Sequence, residues 1–134
     1  MEYQVTKNIS LAALKSLYES VGWTSYTVDM PSLKIALENS LDVIAAFDNQ
    51  QLVGLIRVVG DGISIIYIQD LLIQPKYQHK GIGSHLVTLV LKKYKNVRQK
   101  LLLTLDEPNT RSFYQKCGFM SCDQGSLVAF YREY

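Results

Sequence analysis

A single segment in the second half of the chain constrains the fold more strongly than any other. Residues 71–84 lead from an apolar stretch, through a polar loop that carries glycines, into a helix whose apolar residues Ile82, Leu86 and Val90 recur at helical spacing. A second apolar stretch, residues 101–105, follows that helix and has the length of a buried strand. Strand, helix and strand in this order predict a parallel crossover within an α/β sheet.

The rest of the chain adds strands that we expect to pair antiparallel. Two apolar stretches, 42–47 and 52–59, flank a short polar turn and predict a hairpin, and residues 63–73 form a third strand. We therefore predict an α/β fold with a mixed, mostly antiparallel central sheet flanked by helices, in the order β-α-α-β-β-β-α-β-α-β-β. The remaining predicted strands are 3–6, 119–121 and 127–131, and the helices are 11–18, 33–38, 82–94 and 110–116.

Length and composition limit the classes to which the chain can belong. Its 134 residues are 48% hydrophobic and 19% charged, which predicts one globular domain over residues 1–134. The net charge of +2 does not favour a nucleic-acid partner, and no apolar run reaches the length of a membrane span. Cys117 and Cys122 are too few for a disulfide framework or a zinc site, so no metal is predicted. Residues 1–5 lack signal-peptide character, and we predict a cytoplasmic protein.

The loop between the predicted strand and helix is suited to binding an anion. The first backbone N–H groups of a helix have no partner within it and lie at the positive end of the helix dipole. Gly81 and Gly83 allow a ligand to approach that backbone closely. The loop does not match the P-loop, because Ser84 and His85 follow the second glycine, nor the dinucleotide fingerprint, which needs a third glycine.

Two motifs in the chain resemble those of a known family. The string Gln78-x-x-Gly81-x-Gly83 resembles the acyl-CoA-binding signature of the GCN5-related N-acetyltransferase (GNAT) family. A second string is similar to the family's other acyl-CoA segment and reads Asn109-x-x-x-Phe113-Tyr114-x-Lys116-x-Gly118-Phe119. A helix and a strand separate the two strings, as the family requires. The resemblance covers about residues 52–119 and implies the acyl-CoA N-acyltransferase fold.

The resemblance also implies an activity and a set of binding residues. Family members transfer an acetyl group from acetyl-CoA, their co-substrate, to an amine. Their pantetheine arm lies along a strand that corresponds here to Leu71, Leu72 and Ile73. Their pyrophosphate binds the loop backbone, which corresponds here to Gln78, His79, Lys80, Gly81, Ile82, Gly83 and Ser84. The second motif implies further acyl-CoA contacts from Asn109, Phe113, Tyr114 and Lys116.

The catalytic groups implied by the resemblance are a proton donor and a base. Tyr114 stands where the family places the group that protonates the leaving thiolate. A lysine-type amine is only about 0.04% neutral at pH 7, so a base or a water must remove its proton. Some family members carry Glu or His at positions matching Tyr67 or Gln69 here, whereas Asp70 is the only carboxylate on this strand.

Asp70 has two alternative roles. Strand alternation places it on the face opposite Tyr67 and Gln69, unless a β-bulge turns it. It is then either the base, or a structural carboxylate that caps a loop or pairs with a basic residue. In the second case a chain of water molecules would replace the base.

The acceptor amine is not defined by the sequence. We predict a primary amine of a small molecule, with no nucleic-acid or membrane partner, and the family's tendency to dimerise through its terminal strands leaves a homodimer open. The alternatives are an acyl-CoA-binding module without turnover and an acetyltransferase that acts on protein lysines or N-termini. Trp23 and Tyr26 follow the first helix, where this fold often borders the acceptor pocket, and they either line that pocket or pack in the core.

Overall fold

The computed structural model describes all of residues 1–134 and divides into two compact units, Met1–Leu103 and Thr104–Tyr134. The strands of the first unit are β1 (Glu2–Val5), β2 (Asp42–Asp48), β3 (Gln51–Gly60), β4 (Ile65–Ile73) and β5 (Gln99–Leu102). Its helices are α1 (Leu11–Ser20), α2 (Thr24–Thr27), α3 (Met30–Glu38) and α4 (Ile82–Lys93), with a 3₁₀ turn at Pro75–Tyr77. The second unit contains α5 (Pro108–Lys116) and a 3₁₀ turn at Cys122–Gln124.

The first unit is built on a five-stranded sheet in the order β1-β2-β3-β4-β5. The first three pairs are antiparallel, and β4 pairs with β5 in parallel after the crossover through α4. The predicted mixed, mostly antiparallel sheet with a helical crossover is therefore confirmed. The β2–β3 hairpin turns through Asn49 and Gln50, whose φ angles are 49° and 70°. Two successive positive φ angles are typical of a two-residue hairpin loop, because they fit the twist of the flanking strands.

Helices cover both faces of this sheet. On one face, buried side chains of α1 and α3 form a core cluster with side chains of β2, β3 and β4, among them Leu14, Tyr18, Leu33, Leu37, Val43, Leu55 and Leu72. Alternate strand residues point to the other face, where α4 packs against β2, β3 and β4. The residues that α4 buries are Ile82, Leu86, Val87 and Val90, which include the three residues whose spacing predicts this helix.

Side-chain caps set the starts of two helices. Ser10 Oγ accepts a hydrogen bond from the N–H of Ala13 at 3.1 Å, and Asp29 Oδ1 accepts one from the N–H of Ser32 at 3.1 Å. Each cap satisfies a first-turn donor that has no partner inside the helix. None of the helices is long and apolar enough to cross a lipid bilayer.

The structure corrects the predicted order of elements at three places. It adds the short helix α2, and it replaces the strand predicted at 101–105 by the shorter β5. The strands predicted at 119–121 and 127–131 are wrong, because this segment forms a 3₁₀ turn and otherwise irregular chain. Val128 and Phe130 are 72% and 93% exposed, and apolar alternation favours a strand only where a neighbouring strand offers hydrogen bonds and packing.

Candidate functional site

A β-bulge in β4 decides which side chains share a face. Ile68 lies opposite Val58 of β3, whereas Asp70 lies opposite Arg57, so Gln69 is an extra residue with no partner of its own. Simple alternation would place Asp70 on the face of Ile68. The bulge turns it instead to the opposite face, beside Arg57. Asp70 therefore joins the face that packs against α1, and the placement expected from alternation alone is corrected.

The Asp70 carboxylate lies in a fully paired, buried cluster. Arg57 Nε donates to Oδ2 at 2.7 Å, Tyr18 Oη donates to Oδ2 at 2.9 Å, and Tyr26 Oη donates to Oδ1 at 2.7 Å. The side chains of Asp70 and Arg57 are only 2% and 6% exposed. Ser40 Oγ accepts a further bond from Arg57 Nη1 at 3.4 Å. Asp70 thus forms a buried ion pair with a basic residue.

The ionisation of this cluster follows from its burial and its charges. Burial, reinforced by the Asp70 carboxylate, raises the pKa of Tyr18 well above its ordinary value. Burial also raises the pKa of Tyr26. Burial alone would lower the pKa of Arg57, but the adjacent Asp70 raises it above its ordinary value. Both tyrosines therefore remain neutral donors, and Arg57 remains charged, throughout the physiological range.

We expect the folded protein to lose stability in alkaline solution for the same reason. Burial raises the pKa of Tyr18, Tyr26 and Tyr94 in the folded chain, and in the unfolded chain tyrosines ionise near pH 10. The stabilisation is complete below about pH 10 and is lost as the pH rises towards the folded values, because the unfolded chain releases these protons first. Urea unfolding between about pH 8 and about pH 12 measures the effect, and a free energy of unfolding that rises above pH 10 would contradict it.

The loop before α4 has the backbone geometry of an anion site. His79 and Gly81 adopt left-handed φ angles of 62° and 85°. Where left-handed and right-handed residues alternate, successive backbone N–H groups point into a shared concavity that can bind an anion. Gly81 is the N-cap and, as a glycine, has no side chain that could cap the helix. The first helical bond runs from His85 N–H to the Gly81 carbonyl, at 3.0 Å. The N–H groups of Ile82, Gly83 and Ser84 consequently have no partner within the helix.

Side chains hold this loop in place. Gln78 Nε2 donates to the carbonyl of Ile73 at 3.0 Å, which ties the loop back to the end of β4. Tyr77 Oη donates to Asp48 Oδ2 at 2.7 Å and so anchors the 3₁₀ turn to the end of β2. The ammonium groups of Lys76 and Lys80 lie 5.6 and 5.4 Å from the centre of the Tyr77 ring. The loop is therefore both rigidly attached and positively charged.

The end of β4 that leads into the loop presents free backbone groups on one edge. Parallel pairing with β5 covers only Ile65 to Ile68. The N–H of Gln74 donates to the Val53 carbonyl of β3 at 2.8 Å, so Leu72 also directs its backbone groups to β3. The backbone groups of Leu71 and the N–H of Ile73 then point to the opposite edge, where the Ile73 carbonyl already accepts from Gln78 Nε2. This edge is suited to an extended ligand that carries amide groups, as pantetheine does.

The second unit holds the residues of the second motif. Phe113 and Tyr114 of α5 contact each other edge to face with ring centres 5.0 Å apart, and Tyr114 contacts Phe119 in the same way at 6.0 Å. Asn109 and Lys116, near the two ends of the helix, are exposed. Burial, with a contribution from Cys117, raises the pKa of Tyr114 to about 12. The Tyr114 hydroxyl therefore keeps its proton at neutral pH.

Two groups of contacts were not anticipated from the sequence. Tyr18 and Arg57 complete the buried cluster, and Arg111 pairs with Asp106 at 2.5 Å and with Asp123 at 3.3 Å across the ends of the second unit. The pairing of Arg57 could have been predicted from the sequence, because a lone charge inside an apolar strand needs a buried partner. The role of the Tyr18 hydroxyl could not have been predicted, since the ring simply fits the apolar stripe of α1. The structure brings no three His, Cys, Asp or Glu side chains together in a way that could hold a metal ion.

Known proteins resemble this chain in both sequence and structure. Residues 23–130 match the family model of the acetyltransferase (GNAT) domain. The chain is 32% identical over 123 residues to the uncharacterized N-acetyltransferase ycf52 of Pyropia yezoensis, covering 89% of this chain and 70% of that protein. A GNAT family acetyltransferase from Streptococcus pneumoniae TIGR4 superposes with a TM-score of 0.83 at 34% identity, over 98% of both chains.

A more distant neighbour shares the fold alone. The aminoglycoside acetyltransferase AAC(6')-Iy, solved with a bisubstrate analogue of CoA and acetylneamine, superposes with a TM-score of 0.70 at 16% identity, over 99% of this chain and 97% of that one. The family match covers most of the chain, and the two relatives of higher identity are named an N-acetyltransferase and a GNAT family acetyltransferase. The chain therefore belongs to the GNAT family and is an acetyltransferase.

Proposed function

We propose that this protein transfers the acetyl group of acetyl-CoA to a primary amine of a small molecule. The observation that carries the proposal is the continuous backbone surface formed by the edge of β4 and the loop before α4. The Leu71 backbone and the Ile73 N–H offer strand-like hydrogen bonds, and the N–H groups from His79 to Ser84 follow. The N–H of Gln78 instead donates to the Pro75 carbonyl at 3.2 Å. A small-molecule acceptor is supported by the fold shared with an aminoglycoside acetyltransferase.

Acetyl-CoA fits this surface chemically. Its pyrophosphate would bind the N–H groups of the loop, and Lys80 beside Tyr77 adds positive charge there. Its pantetheine amides would pair with the backbone of Leu71 and the N–H of Ile73. When bound, acetyl-CoA would supply the acetyl group as an activated thioester.

The remaining groups in this proposal come from the second sequence motif. Asn109, Phe113 and Lys116 of α5 would contact the cofactor, and Tyr114 would donate its proton to the departing thiolate, since its pKa of about 12 keeps it neutral. We treat the two units as one acetyltransferase domain over residues 1–134, because the family match at 23–130 runs through both of them.

The proton of the acceptor amine has two possible destinations. Asp70 is the first, reached through the hydroxyl of Tyr26. Protonating Asp70 would leave Arg57 buried without a counter-charge, which is costly. That cost favours the second destination, a water molecule, with Asp70 acting as an anchor for the cluster.

The setting of the reaction is also part of the proposal. We place it in the cytoplasm, with no nucleic-acid or membrane partner, and the net charge of +2 supports the absence of a polyanionic partner. Light scattering tests whether the protein forms a homodimer. An acetyltransferase of protein lysines would give the same cofactor-binding results, so a lysine-containing peptide belongs among the acceptors tested.

Calorimetric titration with acetyl-CoA, CoA and ATP tests the cofactor site first. We expect micromolar binding of acetyl-CoA and CoA and much weaker binding of ATP. Thiol release from acetyl-CoA is then measured with spermidine, sisomicin, 2-phenylethylamine and a lysine peptide. Binding without release for every amine would favour an acyl-CoA-binding module. No binding by the folded protein would refute the assignment of the loop.

Replacing Gly81 with Ala should weaken acetyl-CoA binding on the order of tenfold. The φ angle of 85° strains any side chain, and the added Cβ would project into the open space where the pyrophosphate is expected. Gly22→Ala is a matched control, because Gly22 has a φ of 79° and equally open surroundings but lies after α1. Calorimetry should show an unchanged affinity for the control. Equal losses in both variants would mean that strain alone, and not the loop site, is responsible.

A further inference from the structure

The side chain of Gln69, the bulged residue of β4, makes a hydrogen bond. Gln69 is exposed, yet its Nε2 lies 3.3 Å from the hydroxyl oxygen of Tyr26. Tyr26 follows α1, in the short helix α2, and its ring packs edge to face on that of Tyr18 with centres 5.0 Å apart. A contact therefore joins the bulge to the helical layer that covers this face of the sheet.

Hydrogen-bond accounting determines which way the Gln69 amide faces. The Tyr26 hydroxyl has one proton, which it donates to Asp70 Oδ1 at 2.7 Å. Its oxygen can then only accept, and it accepts from Arg57 Nη2 at 3.5 Å and from the Gln69 amide. The NH₂ group of Gln69 must consequently face Tyr26. The carbonyl oxygen Oε1 is directed away from the cluster.

The orientation of the Gln69 amide follows from neighbouring groups that are themselves buried and paired. Asp70 and Arg57 are buried and joined by an ion pair at 2.7 Å, and they hold the Tyr26 hydroxyl from two sides. Burial keeps the proton on Tyr26 by raising its pKa. An exposed amide is thus held in one of its two flip states by a buried charge pair, through a single tyrosine.

The chemistry of a neutral amide oxygen suits an amine nucleophile. It accepts an N–H from an amine without favouring the charged ammonium, whereas a carboxylate at the same place would favour the charged form. Gln69 is the first residue of β4 after Ile68, where the pairing with β5 ends. It therefore adjoins in the chain the stretch of β4 that we assign to pantetheine.

We propose that Gln69 Oε1 binds the acceptor amine and that Tyr26 is the positioning residue that orients it. This inference rests on the proposed acetyl transfer. It assigns amine recognition to a neutral hydrogen-bond acceptor at the bulge, and it gives the buried Arg57–Asp70 pair a role in specificity through Tyr26.

Steady-state kinetics of three variants test the inference with an amine that the wild type acetylates. Gln69→Leu should raise the KM for the amine about tenfold, with kcat and acetyl-CoA affinity nearly unchanged. Tyr26→Phe should raise the same KM about threefold, because the amide loses its orientation. In the Gln69→Leu background, Tyr26→Phe should add nothing, since the group that it orients is already absent.

A pH profile separates recognition from a merely structural role. Gln69→Glu should move the rising limb of kcat/KM to higher pH, because a carboxylate favours the protonated amine. Tyr94→Phe is the matched control: it removes a hydroxyl that donates to a buried carboxylate, Asp42, at 2.7 Å, but lies at the end of α4. The control should change neither the amine KM nor the profile.

The outcomes distinguish this inference from the proposed function. Turnover with an amine KM unchanged in Gln69→Leu would overturn the assignment of Gln69 and leave acetyl transfer standing. A full additional loss from Tyr26→Phe in the Gln69→Leu background would overturn the positioning role of Tyr26. Acetyl-CoA binding by the wild type without turnover of any amine would overturn the proposed function, and this inference with it.

Discussion

Replacing Arg57 with Met should lower the free energy of unfolding by about 3–5 kcal/mol. Asp70 is 2% exposed, and without the guanidinium its charge would be buried beside two hydroxyls that cannot neutralise it. Methionine fills a similar volume, so the loss reports on charge more than on packing. Urea unfolding measures it directly, and the midpoint of thermal unfolding should fall by roughly 10–20 °C.

Two controls make the Arg57 result interpretable. Lys15→Met breaks an exposed pair with Glu19 at 4.0 Å and should cost less than about 0.5 kcal/mol. Adding Asp70→Asn to Arg57→Met removes the uncompensated charge, and the amide oxygen still accepts from one of the two tyrosines while its NH₂ faces the other hydroxyl oxygen. The double variant should therefore be more stable than Arg57→Met alone. A loss in Arg57→Met no greater than that in Lys15→Met would contradict the importance of the buried pair.

The same double variant decides between the two roles of Asp70. If Asp70 only anchors the cluster, turnover should fall by no more than about tenfold once Arg57 and Asp70 are both neutral, because water still takes the proton. A loss of more than about 10³-fold in a folded double variant would assign the base to Asp70.

Replacing Tyr114 with Phe should lower kcat about 10²-fold and leave the affinity for acetyl-CoA within about twofold. The hydroxyl is the only group removed, and its pKa of about 12 means that it holds a proton at working pH. The edge-to-face contacts with Phe113 and Phe119 need only the ring. Thiol release under saturating substrates gives kcat, and calorimetry gives the affinity.

Tyr94→Phe is again the matched control for Tyr114, since it removes a hydroxyl outside the proposed site. Its kcat should equal that of the wild type. Unchanged turnover in Tyr114→Phe would exclude the proton donation that we propose. A large loss of acetyl-CoA affinity would instead make Tyr114 a binding residue.

Local patterns were sufficient for the crossover and its loop. The helical spacing of Ile82, Leu86 and Val90 predicts the face that α4 buries, and the glycines predict where the helix begins. These features depend on residues close together in the chain, so backbone stereochemistry and periodicity determine them. The strand predicted at 127–131 is wrong, because no neighbouring strand pairs with this segment. Strand formation depends on residues far away in the sequence, which a local apolar pattern does not reveal.

The candidate site divides in the same way. The positions of the loop and of α5 could be predicted, since each is a motif within one segment. The bulge at Gln69 could be considered but not located, because the pairing of β4 with β3 determines it. The partners of Asp70 come from α1, α2 and β3, and residues 18, 26 and 57 have no sequence relation that would join them.

Local patterns in the sequence were enough for the order of most elements, the parallel crossover, the loop before α4 and the family motifs, because each depends on periodicity or turn chemistry over a few residues. The direction in which Asp70 faces, its pairing with Arg57 and the contact of the Gln69 NH₂ with Tyr26 depend instead on packing between distant segments. A one-residue bulge changes the face of every side chain that follows it, and strand pairing between distant segments determines where that bulge lies.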